Sequence, residues 1–145
     1  MIKFIGEYSA KVDDKGRVVF PADFKALMDD PRLVVRKNLY EPCLEIFTYE
    51  EWERQSEEIK ARLDFFKPEH VRFWREYMRG RALVSPDGKL GRINIPNKLL
   101  QDIGVQKEVV FLGADHKIEL WTRERFEASA LGEDAMAALA QTLSK

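Results

Sequence analysis

Two short stretches hold the residues whose types and spacing could do chemistry. The first is DDKGRVVFP, Asp13 to Pro21, and the second is GKLGRINIP, Gly88 to Pro96. Each sets a lysine and an arginine beside a glycine: Lys15, Gly16 and Arg17, then Lys89, Gly91 and Arg92. Arginine forks onto a phosphate or onto the edge of a guanine. Lysine supplies a mobile positive charge. Glycine lets backbone come close to a ligand. The same residues also suit a plain hairpin turn in which Asp13 pairs with Arg17, and residue type alone leaves both readings open.

The inventory for catalysis is thin by comparison. The two histidines, His70 and His116, have no metal-ligand spacing around them, so no metal and no cofactor is expected. No Gly-x-Ser-x-Gly, P-loop or Gly-x-Gly-x-x-Gly run occurs. Cys43, the sole cysteine, sits in the strand-like run CLEIF and reads as buried and inert. Glu50, Glu51, Glu53, Glu57 and Glu58 read as a solvated helix face. An enzyme, and with it a small-molecule substrate, is therefore disfavoured.

Charge is distributed unevenly around the two turns. The chain carries -1 overall. Ser9 to Arg17 sets Lys11, Lys15 and Arg17 against Asp13 and Asp14, a net of +1. Arg79 to Arg92 sets Arg79, Arg81, Lys89 and Arg92 against Asp87 alone, a net of +3, which leaves -5 for the remainder. The turns are basic islands on an acidic body, a pattern suited to nucleic acid. No apolar run approaches the ~20 residues of a membrane helix. The early charges of the N-terminus do not read as a secretory signal. The single cysteine suits a reducing cytoplasm.

The elements that must position these turns form an internal repeat. Gly16–Pro21 aligns with Gly91–Pro96, Phe24–Met28 with Leu99–Ile103, and Val34-Val35 with Val109-Val110. Leu44–Phe47 aligns with Ile118–Trp121 and Trp52 with Phe126. Each copy predicts an alternating strand after the turn, with Val18 and Phe20, or Ile93 and Ile95, inward. Pro21 and Pro96 end those strands and suit a first helical turn. Short helices follow, from Ala22 to about Met28 and from Asn97 to about Ile103, with Gly104 as C-cap.

Further strands are expected near Leu33–Lys37, Cys43–Phe47, Glu108–Leu112 and Lys117–Trp121. Thr48 with Glu51 predicts a capping box, opening a helix whose apolar side is Trp52, Ile59 and Leu63. Pro68 opens another, with Val71, Trp74 and Met78 on one face. Met136, Leu139, Ala140 and Leu143 form an apolar stripe in the tail. The expected division is 1–63 for the first repeat, 64–80 for a connecting helix, 81–126 for the second repeat and 127–145 for a helical tail. Units of about 50 residues bury too little surface to stand alone. Pairing across a pseudo-two-fold would close their edges into a shared, barrel-like core with both turns on one side.

The runs GEYSAKVDDKGRVVFPADFKALM, EIFTYEEWE and GRINIPNKLLQDIGVQKEVVFLGADHKIELWTRERFE closely resemble the MraZ family of bacterial transcriptional regulators, from about Phe4 to Phe126. That family's signature is a tandem pair of Asp-x-x-x-Arg motifs, which Asp13 and Arg17 match. The resemblance implies an α+β, β-rich fold: an AbrB- or MazE-like swapped-hairpin β-barrel made by two tandem repeats with peripheral helices. It also implies a ring of identical subunits, bound to short tandem repeats in double-stranded DNA upstream of the division and cell-wall genes, at the nucleoid. The second copy departs from the signature, since Gly88 lies four residues before Arg92 and the aspartate, Asp87, lies five before. The expected DNA contacts are Lys11, Lys15, Arg17, Arg79, Arg81, Lys89 and Arg92, with Asp13, Gly16, Asp87 and Gly91 orienting them. An RNA-binding or antitoxin-like module is the alternative on the same fold.

Overall fold

The computed structural model describes residues 2–144, so the outer ends of the first and last expected segments, Met1 and Lys145, lie outside the described residues. The fold is α+β and β-rich. In chain order the elements are β1 (Phe4–Lys11), β2 (Arg17–Val19), α1 (Ala22–Lys25), β3 (Leu33–Lys37), β4 (Leu44–Thr48), α2 (Tyr49–Lys60) and α3 (Pro68–Met78). Then come β5 (Ala82–Val84), β6 (Arg92–Asn94), α4 (Asn97–Asp102), β7 (Glu108–Asp115), β8 (Ile118–Thr122), α5 (Arg123–Ala128) and α6 (Glu133–Leu143).

Six strands form one sheet in the order β1-β7-β8-β4-β3-β5, and β2 pairs with β6 in a separate ribbon. Every pairing is antiparallel. Exchanging β1 with β5, β3 with β7 and β4 with β8 returns the same order reversed. Each half thus gives its first strand to the hairpin of the other: β1 to β7, and β5 to β3. Neither the first nor the second part of the chain holds a complete sheet, and strands from both share one core. Among the described residues β1 and β5 remain sheet edges and the ribbon is a separate sheet, so the strands do not pair into a closed ring.

The core lies between these two sheets. Leu33, Val35, Leu44, Ile46, Val109, Phe111, Ile118 and Leu120 face inward from the large sheet. Val18 and Ile93 from the ribbon, with Phe20, Ile95, Phe24, Leu99 and Ile103 beyond it, close over them. Phe20 meets Phe111 edge-on at 5.9 Å between ring centres, a favourable aromatic geometry.

Several expectations shift in detail. Thr48 and Thr122, equivalent cap residues, face Leu33 and Val109 across their hairpins. Leu33 is therefore the counterpart of Val109, and the Val34-Val35 alignment with Val109-Val110 is one residue out of step. Pro21 and Pro96 sit at the N-cap, one position earlier than a first helical residue. α1 ends at Lys25 and reaches Met28 only as i→i+3 turns. The Thr48 hydroxyl accepts from the Glu51 amide at 3.1 Å, but the Glu51 carboxylate turns to Arg54 and Gln55, leaving the capping box half made. Leu63 lies beyond the end of α2. On α3 it is Tyr77, not Met78, that packs inward, stacked between Trp52 and Trp74 at 5.4 and 5.3 Å. α6 forms as the stripe predicts, yet all its residues are exposed.

Cys43 is buried, and burial, with Glu119 and Glu45 nearby, pushes its thiol up to about 12. A thiol held that high is no nucleophile at neutral pH. No helix is long and apolar enough to cross a membrane, and no cluster of metal-ligating side chains occurs among the described residues.

Candidate nucleic-acid interface

The first turn is built around Asp13. One carboxylate oxygen, Oδ1, accepts from the backbone amides of Lys15 and Arg17, both at 2.9 Å. The other, Oδ2, accepts from Arg17 Nε at 2.8 Å. The Asp13 amide in turn donates to the Arg17 carbonyl, closing the loop. Hydrogen bonds from the Arg17 amide, outweighing partial burial, and then from its side chain and the Lys15 amide hold the Asp13 carboxyl below its ordinary value. Asp13 thus fixes the guanidinium of Arg17 through its Nε edge, and the outer nitrogens have no partner among the described residues.

The second turn solves the same problem with one more residue. The Asp87 amide donates to the Arg92 carbonyl at 2.8 Å, as Asp13 does to Arg17, so Asp87 is the counterpart of Asp13. Gly88 absorbs the insertion. Its φ of 74° and that of Gly91, 69°, give this turn two left-handed glycines where the first has one, Gly16 at 80°. The Asp87 carboxylate is spent on the Gly88 amide at 2.8 Å. Among the described residues Arg92 makes no side-chain ion pair, so Asp87 braces it through main chain alone.

The two turns meet on the ribbon. Arg17 faces Asn94, Val18 faces Ile93, and Val19 faces Arg92. The pleat sends Val18 and Ile93 into the core and leaves Arg17, Val19, Arg92 and Asn94 on the outer face. The Gly16 carbonyl accepts from Ile95 and the Gly91 carbonyl from Phe20, each at 3.0 Å, so each turn is stitched to the strand of the other half. A Cβ at Gly16 would lie 2.8 Å from the Ile95 carbonyl oxygen, which explains glycine there beyond its φ. Arg17 and Arg92 line one cleft of about 350 Å³, with Asn94, Asp87, Gly88 and Ser85 around them.

The other expected contacts fall in different places. Lys15 and Lys89 are exposed at the turn tips and do not line this cleft. Lys11, across from Glu108, lines a separate cleft with Lys107 and Arg123. Arg79 pairs with Glu76 at 3.1 Å. Arg81 is half-buried, with its guanidinium 5.1 Å from the centre of the Tyr77 ring and 5.7 Å from that of Trp52. Burial, helped by Arg36, lowers its pKa. The structure therefore brings Arg17 and Arg92 together, leaves Lys15 and Lys89 exposed on the flanking turns, and engages Arg79 and Arg81 elsewhere. Asn94 and Val19 did not stand out in the sequence. Period-two alternation from Arg17 and Arg92 is the signal that marks them.

The model of a family described as "MraZ protein, putative antitoxin-like" matches residues 3–76 and 78–142. Three similar proteins carry the name transcriptional regulator MraZ. One from Bacteroides fragilis is 34% identical, with 100% of this chain and 93% of that protein covered. One from Bacteroides thetaiotaomicron is 34% identical over 88% and 83%. One from Dictyoglomus thermophilum is 37% identical over 86% and 82%. These relatives are named as regulators of transcription, not as enzymes. The chain belongs to the MraZ family.

Two variants test the turns. Asp13→Asn keeps an oxygen for the Arg17 and Lys15 amides, whereas Asp13→Ala removes every side-chain bond to Arg17 and leaves only the main-chain one. Duplex DNA binding, followed by fluorescence anisotropy, is expected to weaken a few-fold in Asp13→Ala and about half as much, on a logarithmic scale, in Asp13→Asn. Equal losses would point to charge rather than geometry. Deleting Gly88 brings Asp87 four residues before Arg92 and frees its carboxylate. Binding is expected to hold or improve, and a large loss would show that the longer loop has a conformation of its own.

Proposed function

We propose that this chain is a sequence-specific, duplex-DNA-binding transcriptional regulator that docks the outer face of its β2–β6 ribbon into the major groove. The observation that carries this reading is the convergence of Arg17 and Arg92 on one cleft, on strands whose opposite face is core. A two-stranded ribbon fits the major groove of B-DNA, and arginine there reads guanine. Lys15 and Lys89 at the turn tips serve the phosphates. The deep, narrow major groove of A-form RNA does not admit such a ribbon, which favours DNA over the RNA-binding alternative.

In this reading the halves are two copies of one unit, and their exchanged first strands with the central ribbon enclose a swapped-hairpin, barrel-like core. The relatives' printed name supports a role in transcription. The targets are tandem repeats before the division and cell-wall genes, bound in the cytoplasm at the nucleoid. Four turn cations per chain release few counterions, so one subunit binds weakly at physiological salt. Several subunits in a ring make later contacts intramolecular and raise avidity about 10²–10⁴-fold. The exposed apolar stripe of α6 and Phe73 on α3 suit such self-association.

The test is binding to duplexes with one or three copies of a box found by footprinting upstream of the chain's own gene, alongside light scattering at micromolar concentration. A large homo-oligomer is expected, with preference for three boxes and a log–log salt slope near about -3.6 for each subunit engaged, from four cations. A monomer that binds one box as tightly as three would overturn the assembly. Equal affinity for unrelated duplex or for RNA would overturn sequence-specific DNA binding.

A further inference from the structure

In residue identity the paired strand positions of the ribbon are two-fold related in all but one pair, although Asp13 braces Arg17 through its side chain and Asp87 does not so brace Arg92. Arg17 and Arg92 are equivalent, as are Val18 and Ile93 beneath them. The remaining pair, Val19 and Asn94, differs in kind. Register sets Asn94 directly across from Arg17 and Val19 directly across from Arg92. Both are exposed, Val19 at 42%. The Asn94 carboxamide makes no hydrogen bond among the described residues, and its Oδ1 stands beside the first turn, 3.5 Å from where a Gly16 Cβ would lie. One end of the face therefore presents a guanidinium beside a free carboxamide. The other presents a guanidinium beside an isopropyl group.

We infer that Asn94 and Val19 are specificity-determining residues that give the ribbon a direction on its DNA site. This rests on the duplex-binding reading above. Two equivalent arginines alone would read the same bases in either orientation. A carboxamide pairs with the N6 and N7 edge of adenine, and an aliphatic side chain contacts the methyl of thymine. The base pair beside one guanine is then read by hydrogen bonds, and the pair beside the other by apolar contact. A site read this way lacks two-fold symmetry.

The experiment is selection from a random duplex library with the full chain, Asn94→Val and Val19→Asn. Both positions are exposed, so folding is expected to survive, checked by the thermal midpoint. The unaltered chain is expected to select an asymmetric site, with about 5- to 150-fold discrimination at the base pair read by Asn94. In Asn94→Val that discrimination should fall below about 2-fold while the guanine preferences remain. Val19→Asn should acquire an adenine preference at the opposite end, and it answers even where Asn94→Val binds too weakly for selection. An unchanged selected site in both variants overturns the inference and leaves DNA binding standing. Failure of the unaltered chain to enrich any duplex overturns both.

Discussion

Replacing Arg17 and Arg92 together by alanine is expected to abolish specific duplex binding while leaving the fold intact. Each arginine stands on the outer face of the ribbon, and each offers guanidinium nitrogens to solvent across a shared cleft. Loss of a bidentate base contact weakens binding by about 5- to 150-fold, so the pair should lose on the order of 10²–10⁴-fold. The salt slope should fall by about 2 for each subunit engaged, because two cations no longer displace counterions. The inner face of the ribbon, Val18 and Ile93, is untouched, so the thermal midpoint should move by less than about 4 °C. Anisotropy at several salt concentrations, with a melting curve, checks both halves of this expectation. Should Arg17→Ala alone unfold the chain, its pairing with Asp13 is a structural brace and the turn is not a reading head.

The second large effect concerns stability and lies on the opposite side of the molecule. Glu45 is 6% exposed, on the outer face of the large sheet. Its carboxylate accepts from Arg36 Nε at 3.0 Å and from Lys117 Nζ. Both cations are themselves 18% exposed. Glu45→Ala takes the shared carboxylate from both, and removing one member of such a buried set costs about 3–5 kcal/mol. Glu119 stays within 3.3 Å of Lys117 and keeps one ion pair, so the lower end, about 3 kcal/mol, is expected. That corresponds to roughly 10 °C in the thermal midpoint.

The same group sets a pH dependence. Burial pushes the Glu45 carboxyl up, but the hydrogen bond from Lys117 and the charge of Arg36 outweigh it, and the net shift is downward. A carboxyl depressed in the folded state contributes stability that is present above its unfolded pKa, about 4.3, and lost as pH falls through the lower folded value. Urea unfolding at pH 7 and at pH 3 should therefore show a smaller drop for Glu45→Ala than for the unaltered chain. Equal drops would remove Glu45 from the account.

What the sequence determined by itself is local or periodic. The turn chemistry of Asp13, Gly16 and Arg17, the alternation of Val18 and Phe20 or Ile93 and Ile95, the Thr48 cap and the extra residue before Arg92 all act within a few positions along the chain. Local hydrogen bonding and period-two burial suffice to specify them. The expected alignment of like segments rested on the same kind of signal, with glycine, arginine and proline pinning it. It slipped by one residue at Val34-Val35, because β3 buries consecutive residues on both faces and so carries no alternation to set register. The tertiary structure alone decided which strands cross between halves, since β1 meets β7 about a hundred residues away and no local pattern encodes that choice. It also decided that Arg81 lies against Trp52 and Tyr77 rather than beside Arg92, and that Glu45 is buried between one cation from β3 and another from the turn joining β7 to β8. A charged residue in sequence reads as solvated. Only the elements packed around it, brought from distant parts of the chain, can supply the partners that make its burial affordable.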